Sequence, residues 1–123
     1  MARHLLMIED DTFITQMYST KLEGKGFEID VAPSGEKGLE LARENAKDLD
    51  LILLDIVLPG QSGIEVLETL MKNEELQRIP VVMLSNLASQ KDVDTCLELG
   101  AKDYIVKSNY TPDEISSLVQ KYL

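Results

Sequence analysis

Four short apolar runs in this chain each end on a polar side chain, and the four ends share one chemistry. Leu5-Leu6-Met7-Ile8 runs into Glu9-Asp10-Asp11, Leu51-Ile52-Leu53-Leu54 into Asp55, Val81-Val82-Met83-Leu84 into Ser85, and Tyr104-Ile105-Val106 into Lys107. A carboxylate is a nucleophile toward phosphorus and forms a reactive, transient acyl phosphate. A carboxylate pair holds a hard divalent ion, and a hydroxyl donates one hydrogen bond. An ammonium offsets the charge of an incoming phosphoryl group. If the four runs were neighbouring parallel strands these groups would meet, because ligands in open α/β sheets bind outside the carboxyl ends of the strands.

The intervening segments read as the helices that such a sheet needs. Thr12 to Lys25 carries Ile14, Met17, Tyr18 and Leu22 on one face at helical spacing. Gly26 is placed to end that helix in the left-handed conformation. Phe27 to Ala32 alternates apolar and acidic residues, which marks a half-exposed strand at a sheet edge. Ser34 caps a helix over Gly35 to Ala46. By contrast, Leu51 to Asp55 and Val81 to Leu84 are apolar throughout their bodies, as in strands buried on both faces. The loop Leu58-Pro59-Gly60-Gln61-Ser62-Gly63 leads to a helix over Ile64 to Asn73 that buries Leu67, Leu70 and Met71. Ser89 to Leu99 forms the fourth helix, stopped by Gly100, and Lys102 to Val106 the last strand. Thr111-Pro112-Asp113-Glu114 starts a fifth helix, with a capping box and proline at the first helical position. Ile115, Leu118, Val119 and Tyr122 are its apolar stripe. Strands alternating with helices, the central strands buried, predict a parallel sheet covered on both faces with right-handed crossovers.

Composition narrows the function classes. A length of 123 residues fits one domain with one real core. A net charge of -10 argues against a direct nucleic-acid interface on this domain, because phosphate backbones are held by clustered Lys and Arg. The apolar run after Met1-Ala2-Arg3-His4 is too short for a signal peptide or a membrane span. No membrane insertion is therefore expected, and a cytoplasmic location is the default. The single cysteine, Cys96, excludes an internal disulfide. It reads as a plain helix residue, since a nucleophilic cysteine needs a basic partner. The only histidine, His4, opens the first strand, at the wrong end for the polar cluster.

In order and at their separations, LLMIEDD, LILLDIVLPGQSG, VVMLSN and AKDYIVK resemble the receiver domain of bacterial two-component response regulators, of the single-domain kind used in chemotaxis. The resemblance runs from Leu5 to Leu123, so residues 1–123 are expected to form one receiver, or phosphoacceptor, domain. It implies an α/β, flavodoxin-like fold: a five-stranded doubly wound parallel sheet, strand order 2-1-3-4-5, with five helices. It implies that Asp55 is the phosphoacceptor. Glu9 and Asp10, with Asp55 and the backbone carbonyl of Val57, would hold Mg²⁺, with Mn²⁺ as a substitute; Asp11 falls outside the pair. Lys107 would contact a phosphoryl oxygen, Ser85 would be the switch hydroxyl and Tyr104 the aromatic switch. The implied partners are a sensor histidine kinase or histidine phosphotransfer protein, and a downstream protein that reads the face around Tyr104. Such a chain is a phosphorylation-controlled switch that assists its own phosphorylation and dephosphorylation, and not a turnover enzyme.

The chain departs from the commoner pattern of that family in three respects. Ser108 follows Lys107 where proline is usual and its peptide bond often cis; a cis bond before a non-proline residue costs about 2.5–4 kcal/mol, so the geometry of this loop stays open. Asn86 follows the switch serine where Ala or Gly is typical, and could narrow access to Asp55. Val57 and Leu87 are apolar at the two positions that border the path of the hydrolytic water. Three rival readings use the same residues. A phosphatase of the haloacid-dehalogenase type shares the Asp, Mg²⁺, hydroxyl and Lys, but places its nucleophile in a DxD-like motif on the first strand. A flavodoxin-like nucleotide or flavin binder wants a Gly- or Ser/Thr-rich phosphate loop where this chain has Glu9-Asp10-Asp11. A receiver-shaped module that is no longer phosphorylated has no use for the complete set of Glu9, Asp10, Asp55, Ser85 and Lys107.

Overall fold

The computed structural model describes residues 2–87 and 89–123. Strands β1 (His4–Ile8), β2 (Glu28–Ala32), β3 (Leu49–Leu54), β4 (Val81–Ser85) and β5 (Asp103–Val106) form one sheet in the order β2-β1-β3-β4-β5. Every pairing is parallel. Helices α1 (Thr12–Glu23), α2 (Gly35–Glu44), α3 (Gly63–Lys72), α4 (Gln90–Leu99) and α5 (Pro112–Val119) alternate with the strands. The doubly wound sheet and its expected strand order are both found.

Side chains on a strand point alternately to opposite faces, and the continuous apolar runs therefore serve two cores. Leu6, Ile8, Ile52, Leu54, Val81 and Met83 pack with Leu39, Leu67, Leu70 and Cys96 from α2, α3 and α4. Leu5, Met7, Leu51, Leu53, Val82, Leu84 and Ile105 pack with Tyr18, Leu22, Ile115 and Val119 from α1 and α5. Burying each such side chain contributes about 1.5–3 kcal/mol. β2 is an edge strand as expected, with Glu28 and Val31 exposed.

Helix boundaries follow the caps. Asp11 accepts N–H bonds from Phe13 and Ile14 at 3.0 and 3.2 Å, which gives this third acid of the first cluster a structural use. α1 stops at Glu23, two residues earlier than Lys25, and Gly26 carries the left-handed φ of 94° in the turn beyond it. Ser89 caps α4 from outside the helix, and the expected capping box and proline open α5. β3 begins at Leu49 rather than Leu51, because the strand is already paired with β1 there.

Gly63 opens α3 under a constraint that the sequence reading passed over. Its N–H donates to the Ile56 carbonyl at 2.8 Å, which presses the start of the helix onto the end of β3. A Cβ at this position would overlap the Asp55 carbonyl oxygen and lie 2.8 Å from the Ile56 Cα. These atoms are backbone and cannot rotate away. Overpacking usually costs 1–3 kcal/mol, and Gly63→Ala is expected at or above the upper end, about 3 kcal/mol. Urea unfolding of the variant checks this; a loss below about 1 kcal/mol would mean that the loop relaxes freely.

Candidate functional site

Glu9, Asp55, Ser85 and Lys107 are four of the six buried polar or charged residues found among the described residues, at 4%, 7%, 1% and 7% exposure. All four lie at the carboxyl ends of strands. The Asp55 N–H donates to the Ile8 carbonyl at 3.1 Å and the Glu9 N–H to the Ala32 carbonyl at 2.9 Å, so pairing of β1 with its two neighbours sets both acids side by side. Lys107 comes from the far side. Its ammonium donates to Asp55 Oδ2 at 2.9 Å and also to Glu9 Oε1. Two strand spacings of about 4.8 Å separate β5 from β3. Only a long side chain crosses that gap, which is why the cation is a lysine stem and the acid on the more distant β1 is a glutamate.

Charge in this cluster is unbalanced. Burial pushes the Glu9 carboxyl up to about 7; the Lys107 ammonium pulls it back and the neighbouring Asp55 charge pushes it further up. Burial also works to raise Asp55, but the hydrogen bond and charge of Lys107, aided by the Ser85 hydroxyl, outweigh it and hold Asp55 below the usual carboxylate range. Burial disfavours the charged form of Lys107, but its two carboxylate partners outweigh that and raise it. Asp55 is thus an ionised carboxylate at neutral pH. Its Oδ2 is held by Lys107, and its Oδ1 accepts a long 3.3 Å bond from the Val57 N–H.

The cluster opens into a cleft of about 290 Å³ that Asp10, Val57, Ser85, Asn86 and Leu87 also line. Asp10 is exposed at its mouth, so the structure brings Glu9 and Asp55 onto Lys107 and leaves Asp10 apart. Among the described residues, no three carboxylate, imidazole or thiol groups converge as a metal-ligand set. Mg²⁺ does not require one: it keeps several waters and is held through one or two carboxylates plus phosphate oxygens. The hard oxygens of Glu9, Asp10 and Asp55, with one ammonium among them, have the chemistry and the deficit of positive charge that such an ion satisfies.

Ser85, Leu87 and Tyr104 form a chain leading away from the cluster. The Ser85 hydroxyl accepts the Leu87 N–H at 3.2 Å, and the Tyr104 hydroxyl donates to the Leu87 carbonyl. Tyr104 pairs in register with Met83 and packs on the α4 side of the sheet. The Lys107–Ser108 bond, whose geometry the sequence left open, is trans, as are the peptide bonds throughout the described residues. The Ser108 N–H donates to Asn86 Oδ1 at 3.0 Å. The sequence reading treated these two unusual residues separately and missed that they are partners; their joint departure from the family pattern was the available signal. Cys96 is buried, with its thiol pushed up to about 11 by burial and the nearby Asp92 charge, as an inert helix residue should be. His4 bonds Asp30 at 2.6 Å, at the opposite end of the sheet.

Residues 5–120 match the model of the response regulator receiver domain. The chain belongs to the response regulator receiver family. Receivers of two-component systems act as signalling switches, and this receiver has sequence relatives that are larger regulators. It is 36% identical over 118 residues to an uncharacterized transcriptional regulatory protein, YkoG, of Bacillus subtilis, covering 96% of this chain and 48% of the relative. It is 36% identical over 123 residues to the DNA-binding response regulator MtrA of Mycobacterium tuberculosis, covering 100% and 51%. The receiver thus spans about half the length of these curated relatives. Among solved structures, it matches a CheX–CheY–BeF₃–Mg²⁺ complex from Borrelia burgdorferi with a TM-score of 0.89 and 28% identity, over 97% of this chain and 87% of that one. It matches the Mn²⁺-bound form of the response regulator Rcp1 with a TM-score of 0.83 and 28% identity, over 97% and 90%. Among the described residues no helix is long and apolar enough to cross a membrane.

The charge imbalance sets a pH dependence. Glu9 takes up its proton near pH 7 in the native receiver but near 4.5 in the unfolded chain. The native state therefore binds the extra proton between those values, and its stability falls as pH rises through that window. Asp55 acts oppositely, its contribution being lost only as pH falls below its ordinary 3.8. With divalent cations chelated, the melting temperature should fall from about pH 5 to about pH 7.5, and Glu9→Gln should flatten the profile. A wild-type profile that rises across the window would refute the imbalance.

Proposed function

We propose that residues 1–123 form a phosphoacceptor domain in which Asp55 takes a phosphoryl group from the phosphohistidine of a sensor histidine kinase or histidine phosphotransfer protein. The observation that carries this reading is the buried ammonium of Lys107, bonded at 2.9 Å to a carboxylate at the end of the central strand. An Asp55 oxygen attacks phosphorus, the P–N bond breaks, and the leaving imidazole takes up a proton. The product is an acyl phosphate whose extra charge Lys107 meets at one oxygen and the Ser85 hydroxyl at another. Glu9, Asp10, Asp55 and the Val57 carbonyl are the proposed holders of Mg²⁺ or Mn²⁺, which would act as a Lewis acid and template. The bound metal ions in two of the related structures, with 28% identity in each case, support this assignment.

In this reading, Ser85 turning toward the phosphoryl group gives up its bond from the Leu87 N–H. The Leu87 carbonyl then shifts and releases the Tyr104 hydroxyl. That path is supported by the two hydrogen bonds through Leu87. A downstream protein would read the result on the face of α4, β5 and α5. The net charge of -10 favours protein partners over nucleic acid for these residues. DNA binding belongs to the name of the full-length relative MtrA. Incubation with Mg²⁺ and a small phosphodonor should add one phosphoryl mass to the chain, and Asp55→Asn should abolish it. Labelling that persists in Asp55→Asn would overturn the assignment.

Loss of the phosphoryl group requires a water in line behind phosphorus, and the protein contributes by admitting and orienting it. Val57 and Leu87 are 57% and 43% exposed, and both line the cleft. Neither side chain offers a water a hydrogen bond. The acyl phosphate should therefore be long-lived, and Val57→Asn with Leu87→Glu should shorten its lifetime about tenfold in purified protein. An unchanged rate in the double variant would show that water access at these positions does not limit hydrolysis.

A further inference from the structure

We propose that Asn86 is a positioning residue for Lys107: its carboxamide oxygen, by accepting the Ser108 N–H, fixes the peptide plane from which the lysine reaches Asp55. This rests on the phosphoacceptor reading of the site and goes beyond it, since Asn86 touches neither Asp55 nor Lys107's ammonium in any hydrogen bond of the structure.

The Lys107–Ser108 peptide unit is held at both ends. Its N–H donates to Asn86 Oδ1 at 3.0 Å, and its C=O accepts the Tyr110 N–H at 3.3 Å in the short 3₁₀ turn Lys107–Asn109. The first bond joins the turn to the segment after β4, 22 residues away in sequence. Lys107 is buried whereas Ser108, Asn109 and Asn86 are exposed. A long buried stem thus starts from an exposed turn that packing alone does not restrain. Its ammonium must still arrive between two carboxylates that belong to other strands. A misplacement of about 1 Å in such a group costs on the order of 10²-fold in rate.

Chemistry explains why the two residues occur together. Proline at position 108 would have no N–H to satisfy, and its ring would restrict the lysine before it to extended backbone. Serine restores a free N–H and removes that restriction. A neighbouring side-chain acceptor then does what the ring would do, and the amide of Asn86 is such an acceptor. Seen this way, Asn86 is turned sideways to a structural partner, and its main effect on the site is transmitted through Lys107.

A double-variant cycle tests this. Asn86→Ala should leave the Ser108 amide unprotected in hydrogen exchange and slow phosphorylation by acetyl phosphate and Mg²⁺ about tenfold. The melting temperature without divalent ions should change by no more than about 2 °C. In a Ser108→Pro background, which has no N–H to satisfy, Asn86→Ala should alter the rate by less than about twofold. An equal slowing in both backgrounds, a faster rate in Asn86→Ala, or unchanged Ser108 protection would each overturn the proposal. A faster rate would mean that Asn86 acts by crowding the approach to Asp55. If Ser108→Pro does not fold, Asn86→Asp, which keeps the acceptor oxygen, must preserve Ser108 protection and exceed the Asn86→Ala rate. If the wild type accepts no phosphoryl group, the phosphoacceptor reading fails by itself. The positioning role is then decided by Ser108 exchange and by the NMR shift of the Lys107 side-chain ammonium, which Asn86→Ala must move in the wild-type background and must leave unchanged in Ser108→Pro.

Discussion

One ammonium shared by two buried carboxylates governs the architecture at the carboxyl end of this sheet. An ion removed from water without a partner costs several kcal/mol, and Lys107 is the partner that Glu9 and Asp55 share. That dependence links β1, β3 and β5, three strands far apart in sequence, at a single atom. It also constrains β4, which lies between β3 and β5 and over whose end the lysine stem must pass. The residue there is a serine, small enough to be crossed and able to offer a hydroxyl. The rest of the fold, two apolar cores either side of continuous strands, supplies the stability from which this polar cluster subtracts.

The cluster is not neutral even so. Two buried acids, Glu9 and Asp55, share one lysine while Asp10 adds charge at the cleft mouth, and the strain appears at the buried Glu9 carboxyl. Such a site is less stable than it would be with an amide at one of the acids. Stability given up at a functional position is a common feature of proteins that must respond to a ligand. Here the surplus negative charge is the property that makes a cation welcome and an unaccompanied phosphate unwelcome.

Much of this was legible in the chain. Continuous apolar runs identified the central strands, the alternating run from Phe27 identified the edge, and Asp or Ser/Thr caps located the helices, because these signals are local and each follows from one periodicity or one hydrogen bond. The composition of the site was legible too, since strand ends in an open parallel sheet converge. What could not be read were the pairwise choices made across the sheet: that Lys107 takes Glu9 and leaves Asp10 at the mouth, that Asp11 serves a helix cap, and that Asn86 meets Ser108. Those depend on register and on side-chain reach over two or three strands. Gly63 escaped notice for a related reason. Its need for a missing Cβ arises from the Asp55 and Ile56 backbone, which a one-dimensional pattern does not bring near it.

The contact of Gly63 with the end of β3 makes the surroundings of Asp55 mechanically unequal. On the α3 side, helix and strand meet backbone to backbone, with the Gly63 N–H fastened to Ile56, and there is no slack to take up a displacement. On the β4 side, the chain from Ser85 to Leu87 is joined by hydrogen bonds to Ser108 and Tyr104 and is exposed beyond Ser85. A bulky anion attached to Asp55 would find no room to displace backbone on the α3 side. Steric stiffness at a glycine would thus act as a rectifier: it would give a disturbance at Asp55 a direction, away from α3 and toward α4 and β5.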